Sequence, residues 1–350
     1  MIQLTERQNS IVKLIKDHGP LNNSALMAFL AQAGTEISRI TLIRDLNELM
    51  EAGEIRQTGK GRNVSYEHSS RHPLLLDIDA DTYLDEPSRA KSTTAIVFNH
   101  DAVNKLAGLL SQREIATLDI KNEVYLKRRH GLSPTIVKKE IERITIELAW
   151  KSSRIEGNTY SLIDTETLIK EHIEAKGHPK EEAIMILNHK RALDHIFANP
   201  DKFKTLSVRE IENIHRLLVA GLDVNHGIRS RAVGITGTNY RPLDNHNQLR
   251  EALESVVNVA NVMKDAWSKS LAVLLMLAYI QPFEDGNKRT SRLIANACLI
   301  AHNVCPLSFR SIDEREYKKA MVIFYEIQNA SPAKRLFLEQ YDFAIKNYFR

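Results

Sequence analysis

The sequence predicts a mainly α-helical protein preceded by a small mixed module, and three observations carry that reading. From about Asp101 to the end, Ala, Leu, Ile, Lys and Glu recur at helical spacing; the interruption is 227–243 (GIRSRAVGITGTNYRPL), which reads as strand, turn and strand or a long flap. Residues 5–67 read as three short helices followed by a hairpin. Between the two, residues 68–95 begin with His72-Pro73 and Leu74, Leu75 and Leu76, then turn acidic and rich in Ser and Thr, as a linker with one or two small elements does. The implied division is 1–67, a linker over 68–95, a helical stretch over 96–205, and a core over 206–350.

In the N-terminal module, Thr5 with Gln8 fits a capping box opening a helix that buries Ile11, Val12 and Ile15, and Gly19-Pro20 ends it. A second helix covers 23–33. A third opens after Ser38, a good N-cap, with Ile40, Ile43, Leu46 and Met50 expected inward and Gly53 closing it. Residues 55–66 then read as strand, a turn at Gly59-Lys60-Gly61-Arg62, and strand.

A chain of 350 residues has room for two or three domains, and its 43% hydrophobic and 26% charged content matches soluble globular proteins. No apolar run reaches the roughly 18 residues of a membrane span. The longest, 271–280, has the length of a buried helix. The opening MIQLTERQNSIVK has no apolar core or small-residue cleavage site of a secretory signal. Cys298 and Cys305 give neither a disulfide framework nor zinc spacing, so a reducing, cytoplasmic setting is expected. The net charge is +4, but residues 1–70 carry eight basic and eight acidic side chains and have no overall charge.

The segment 281–292 (QPFEDGNKRTSR) holds the chemistry. Gln281-Pro282 stops the apolar helix, 283–287 forms a tight loop, and a new helix starts near Lys288. Such a loop delivers backbone N–H groups at a helix N-terminus, an anion site by geometry. Gly286 permits close approach of a ligand, and Lys288, Arg289 and Arg292 add three cations, with the two arginines on one helix face. Asp285 offers an oxygen that can share Mg²⁺ with phosphate oxygens. A nucleotide with its Mg²⁺ is therefore the expected ligand.

This string closely resembles the Fic (Fido) family signature HPFxxGNxRxxR, and the resemblance extends over roughly 100–345. Most members of that family are helical proteins that transfer AMP from ATP to a Ser, Thr or Tyr hydroxyl of a target protein. Carried across by position, Phe283 is a core anchor and Asp285 a Mg²⁺ ligand. Gly286, Asn287, Lys288, Arg289 and Arg292 are the phosphate-binding candidates. The stretch 227–237 resembles the family's strand and flap, which grips a target backbone by β-addition, with Val233, Gly234, Ile235, Thr236, Gly237 and Tyr240 as docking candidates. Residues 152–158 (SSRIEGN) resemble the inhibitory motif [S/T]xxxE[G/N]. The resemblance implies that Glu156 pairs with Arg292 and keeps ATP from binding productively.

One position departs from the pattern. The family's catalytic histidine, which takes the proton from the attacking hydroxyl, is replaced by Gln281. An imidazole accepts that proton at neutral pH and a carboxamide does not. A missing general base costs roughly 10²–10⁴-fold in rate. Three readings stay open: a nucleotide-binding but nearly inactive site, a hydrolase that removes AMP with Glu156 positioning water, or slow transfer carried by phosphate binding and Mg²⁺. His226 or His246, near the flap, offers a further route to a replacement base.

Residues 1–67 resemble a winged helix of the DeoR sort. That resemblance places Arg39, Thr41 and Arg44 of the third helix toward a DNA major groove, with Arg56, Lys60 and Arg62 of the wing on phosphates. Two functions follow: an autoinhibited adenylyltransferase using ATP and Mg²⁺ on an unknown protein target, or a DNA-binding regulator whose Fic-like domain senses nucleotide. A homodimer is compatible with either, and no membrane association is expected.

Overall fold

A computed structural model describes residues 4–51, 54–59, 61–68, 72–76, 78–86, 89 and 94–350. The chain divides into two compact units, Met1–Pro73 and Leu74–Arg350.

In the first unit, helix α1 (Glu6–His18) opens with Thr5 and Gln8 in a reciprocal capping box and buries Ile11, Val12 and Ile15. Helix α2 (Asn23–Gln32) is capped by Asn22, and α3 (Arg39–Glu51) starts after Ser38, whose Oγ accepts from Thr41 N. Strands β1 (Ile55–Thr58) and β2 (Ser65–His68) pair antiparallel, and Leu21, between α1 and α2, bridges to Tyr66. Gly59 in the turn stands at φ 79°, and a Cβ there would meet Asn63 O at 2.1 Å, so only glycine fits.

The buried face of α3 differs from the expected one. Ile40 is 82% exposed and Ile43 39%, while Leu42, Leu46 and Leu49 are fully buried. The leucine stripe 42/46/49 packs into the unit's apolar core, and beside it Asp45, itself buried, accepts two hydrogen bonds from the Arg7 guanidinium, which fits this face inward. Gly53, expected to close α3, lies outside the described residues.

The second unit is a helical assembly. After α4 (Ala80–Asp85), β3 (Ile96–Val97) and the single turn α5 (Asp101–Asn104) come the long helices α6 (Gln112–His130) and α7 (Pro134–Ile155). Then follow α8 (Leu162–Glu171), α9 (Lys180–Ala198), α10 (Val208–Val219), β4 (Tyr240–Arg241) and α11 (His246–Val262). The chain finishes with α12 (Ala266–Ile280), α13 (Asn287–Ala301), α14 (Glu314–Ile327) and α15 (Ser331–Asn347). Every residue of α12 is buried, which explains its unbroken apolar sequence, and α13 packs along it. The 227–243 stretch is a long flap whose only strand, β4, pairs parallel with β3. Residues from Leu74 onward, expected as linker, are laid on the second unit: Leu74 joins its core, and Leu74 O accepts from Ala330 N at 2.6 Å. Among the described residues no helix is long and apolar enough to cross a membrane.

Because Leu46 is fully buried and Ile40 is exposed, Leu46→Ala should destabilise the N-terminal unit by about 2–5 kcal/mol. Ile40→Ala should change it by no more than about 0.5 kcal/mol. Chemical denaturation of both variants, followed by amide exchange in α1 to α3, checks the pair.

Candidate functional site

The site is built where α12 ends. Gln281 takes the left-handed conformation (φ 52°, ψ 58°) that terminates the helix, and its N–H still bonds Leu277 O. Pro282 cannot continue the helix, and the loop 283–286 leads into α13 through Gly286, also left-handed at φ 78°. The loop is braced from within. Asn287 Oδ1 accepts from Phe283 N and its Nδ2 donates to Phe283 O, both at 2.8 Å. The Asn287 side chain is thus committed to the loop backbone, where sequence position assigned it to phosphate. Phe283 is fully buried, as expected of an anchor, and stacks on the ring of His215 at 3.8 Å.

His215 is a residue that sequence reasoning passed over. It sits on α10, its Nε2 donates to Asp285 O at 3.0 Å, and burial pushes its pKa down to about 4. A neutral ring therefore supports the loop from below. The available signal was a histidine in register with Ile211, Ile214 and Leu218 on a strongly apolar helix face.

Around the loop lies a cavity of about 510 Å³. Gln281, Asp285, Gly286, Lys288 and Arg289 form its floor, and Val233, Gly234, Ile235 and Thr236 of the flap one side. Its far wall is α14, through Tyr317, Lys318, Met321, Val322 and Tyr325, none of which the sequence singled out. Their spacing is that of any amphipathic helix, so nothing marked them before the fold brought them opposite the loop.

The cations are arranged unequally. Arg289 is almost wholly buried; its Nη2 bonds Asp285 Oδ2 at 2.9 Å and its buried Nη1 has no hydrogen-bond partner among the described residues. Arg292 is fully buried behind the cavity, and its Nη1 likewise has no hydrogen-bond partner among the described residues. Its other nitrogens are claimed by the end of α7. Nε donates to Ser152 Oγ, and Nη2 donates to Ser152 O and to Glu156 Oε1 at 2.8 Å. Lys288 Nζ holds the second oxygen of Glu156 at 3.2 Å. Burial alone pushes the Glu156 carboxyl up, but the charges of Arg292 and Lys288 outweigh that and hold its pKa near 2. Beneath them His189 Nε2 accepts from Ser152 Oγ at 2.9 Å, and burial lowers the His189 pKa to about 3.

Gln281 Nε2 donates to Ala278 O at 2.6 Å, and its backbone O accepts from Arg229 Nε at 2.8 Å. Arg229 also bonds Arg231 O and Leu243 O, both at 2.6 Å, so one buried guanidinium ties both limbs of the flap to the end of α12. Tyr240, expected as a docking residue, is buried at the flap root: its OH donates to Tyr279 O at 2.8 Å and the two rings stack. Neither His226 nor His246 lines the cavity. Among the described residues no group of three or more His, Cys, Asp or Glu is placed to hold a metal. Of the three carboxylates lining the cavity, Glu156 is tied to Lys288 and Arg292 and Glu284 to Asn225, while Asp285 is 65% exposed on its side chain and suits Mg²⁺ only when phosphate oxygens complete its shell.

A model of the Fic/DOC family matches residues 205–299, which span the flap, α12, the loop and most of α13. Residues 205–299 form a Fic domain. Among curated proteins, the protein adenylyltransferase Fic of Drosophila mojavensis is 25% identical over 255 residues, covering 72% of this chain and 50% of its own. That of Nematostella vectensis is 26% identical over 221 residues, covering 59% and 49%. The chain thus spans about half the length of the curated relatives it matches. In fold it is similar to Fic-1 from C. elegans, with a TM-score of 0.57 and 17% identity over 99% of this chain and 98% of that one. A Fic domain containing signaling protein from Bacteroides thetaiotaomicron has a TM-score of 0.54 and 20% identity, covering 66% of this chain and 95% of its own.

The low Glu156 pKa makes a pH prediction for the second unit. A depressed folded-state pKa stabilises the fold above the ordinary value of 4.5, and that stabilisation is lost as pH falls through about 2. Wild type should therefore exceed Glu156→Gln by at most about 3 kcal/mol at neutral pH. The gap should close between pH 4.5 and 2, as read by denaturation at a series of pH values.

Proposed function

We propose that this chain is a Fic-type protein adenylyltransferase, held inactive by Glu156 and slowed by Gln281. The observation that carries this reading is the 2.8 Å pair between Glu156 and Arg292 at the back of a cavity bounded by the motif loop, the flap and α14. The curated relatives bear the name protein adenylyltransferase, in keeping with it.

In this reading the base of ATP lies against Tyr317, Met321, Val322 and Tyr325, and the phosphates meet the loop N–H groups, Lys288 and Arg289. The unpartnered Nη1 atoms of Arg289 and Arg292 are donors that an anion would satisfy. Mg²⁺, held by Asp285 and phosphate oxygens, would supply charge neutralisation. An acceptor hydroxyl oxygen attacks the α-phosphorus, the bond to the β-phosphate oxygen breaks, pyrophosphate leaves, and the hydroxyl proton passes to solvent. The target chain supplying the hydroxyl lies along Val233, Gly234 and Ile235, which belong to no strand or helix and have no sheet partner among the described residues. Glu156 opposes all of this by placing a carboxylate beside the phosphate site and by occupying Arg292. Gln281, its amide engaged by Ala278 O, takes no proton, so transfer is slow. Both oxygens of Glu156 are engaged by cations, which leaves a hydrolytic reading without an oriented base.

The second reading is a DNA-binding regulator with a nucleotide-sensing Fic domain, and the N-terminal unit is what favours it. Three helices, the hairpin and the Leu21–Tyr66 bridge have the element order of a winged helix, and α3 leaves Arg39 and Arg44 exposed. Thr41 is half-buried and bonds the Ser38 cap at 2.9 Å, which weakens its candidacy. Arg56 is tied to Glu67 across the hairpin at 2.5 Å. Lys60 and the side chain of Arg62 lie outside the described residues.

Incubation with Mg²⁺ and ATP labelled on the α-phosphate should leave wild type unlabelled and give weak labelling of protein by Glu156→Gly. Adding Gln281→His should raise that by about 10²–10⁴-fold; no label even in the double variant would sink the transferase reading. If the regulator reading holds, a mobility shift should reveal a preferred duplex whose binding weakens as salt rises and is lost on Arg39→Ala with Arg44→Ala. Absence of any preferred duplex would remove it.

A further inference from the structure

Residues 80–86, 89 and 94–98 lie outside the motif, yet as a strap they meet the root of the flap. The meeting point is Glu326 on α14, whose side chain is fully buried. Its Oε2 accepts from Arg89 Nε at 2.7 Å and from Tyr83 OH at 2.9 Å. Its Oε1 accepts from Arg89 Nη2 at 2.9 Å, Thr238 Oγ1 at 2.7 Å and Asn239 N at 3.2 Å. Strap, flap and cavity wall thus share one carboxylate. Arg89 adds a second link, since Nη2 also donates to Gly237 O at 2.7 Å and Arg89 O accepts from Asn239 Nδ2 at 3.0 Å. Further along, Ile96 N bonds Asn239 O at 3.1 Å, and β3 runs parallel to β4.

The flap is consequently tethered over 237–241 and open over 233–235. The cavity face of α14 carries Tyr317, Lys318, Met321, Val322 and Tyr325, so the same helix that holds the flap through Glu326 also forms the wall opposite the loop. An unpaired carboxylate in that position is costly, and loss of Arg89 would release the limb it anchors before it disturbed the apolar core.

We propose that the strap, through Arg89 and Glu326, sets the position of the flap and so the affinity of the site for its protein target. Arg89 is a positioning residue in this scheme. The inference rests on the reading above that the flap receives the target chain. It differs from the inhibitory contact, because it acts on target docking and leaves nucleotide binding alone.

The test uses the full chain as wild type, Arg89→Ala, Arg89→Lys and Thr238→Val. Amide exchange over 233–241 should be about tenfold or more faster in Arg89→Ala, the scale of one lost charge-assisted bond. Arg89→Lys, which keeps the charge and loses the fork, and Thr238→Val should fall between it and wild type. Exchange in α13 should not change. The same substitutions are then placed in a Glu156→Gly, Gln281→His background, with ATP and a randomised mixture of Ser-, Thr- and Tyr-containing peptides as the probe. Here kcat/KM for peptide should drop about tenfold, with KM for ATP within about twofold. Unchanged flap exchange in Arg89→Ala overturns the proposal, as does an equal loss toward ATP and peptide. If ATP binds and no form labels peptide, the transfer reading fails, and flap exchange alone decides the strap.

Discussion

The architecture around the site depends on one constraint: the guanidinium of Arg292 is fully buried and must be paired. A cation out of contact with water is tolerated only with a counter-charge and hydrogen bonds of good geometry. Glu156 and Ser152 supply both, and α7 has to end where it does to supply them. Further fixings on the same helix follow from this. Lys151 and Arg154 both reach Glu314 at 3.0 Å at the start of α14, so the segment carrying Glu156 is tied to the cavity wall as well as to the arginine. A pairing seen from the arginine as structural is, in the proposed function, also the occupation of a phosphate partner.

The loop beside it is rigid for a different reason. Its backbone is held by Asn287 from within, by His215 and Phe283 from below, and by Arg229 at the end of α12. Such bracing is set before any ligand arrives, so anion binding at the loop costs little reorganisation. Gln281 fits the same frame. Its left-handed backbone and its bond to Ala278 O belong to the helix stop, which a glutamine fulfils; proton transfer is the part of the family's chemistry that it does not.

Much of this was legible in the sequence for physical reasons. The continuous apolar run of α12, the Pro stop and the glycine before α13 act locally, and so they mark the loop without knowledge of the fold. The capping box at Thr5 and Gln8 is local in the same way. The inward face of α3 differs from the expected one, because Ile40 and Ile43 share helical spacing with Leu46, while the burial of Leu42, Leu46 and Leu49 goes with contacts such as Arg7–Asp45, 38 residues apart in sequence. The α14 wall, the Glu326 meeting point and the strap were illegible for the same reason, since each is made by contacts between segments distant in sequence. Asn287 and Tyr240 lie in the loop and at the flap root, and the structure gives their polar atoms to the backbone.

The central claim is that Glu156 withholds Arg292 from nucleotide phosphate, and calorimetry of Mg²⁺-ATP binding to wild type and Glu156→Gly tests it most directly. Release of one charge-assisted pair predicts an affinity at least about tenfold higher in the variant. Equal affinities, with both proteins folded, would contradict the account and leave the Glu156–Arg292 pair a purely structural contact.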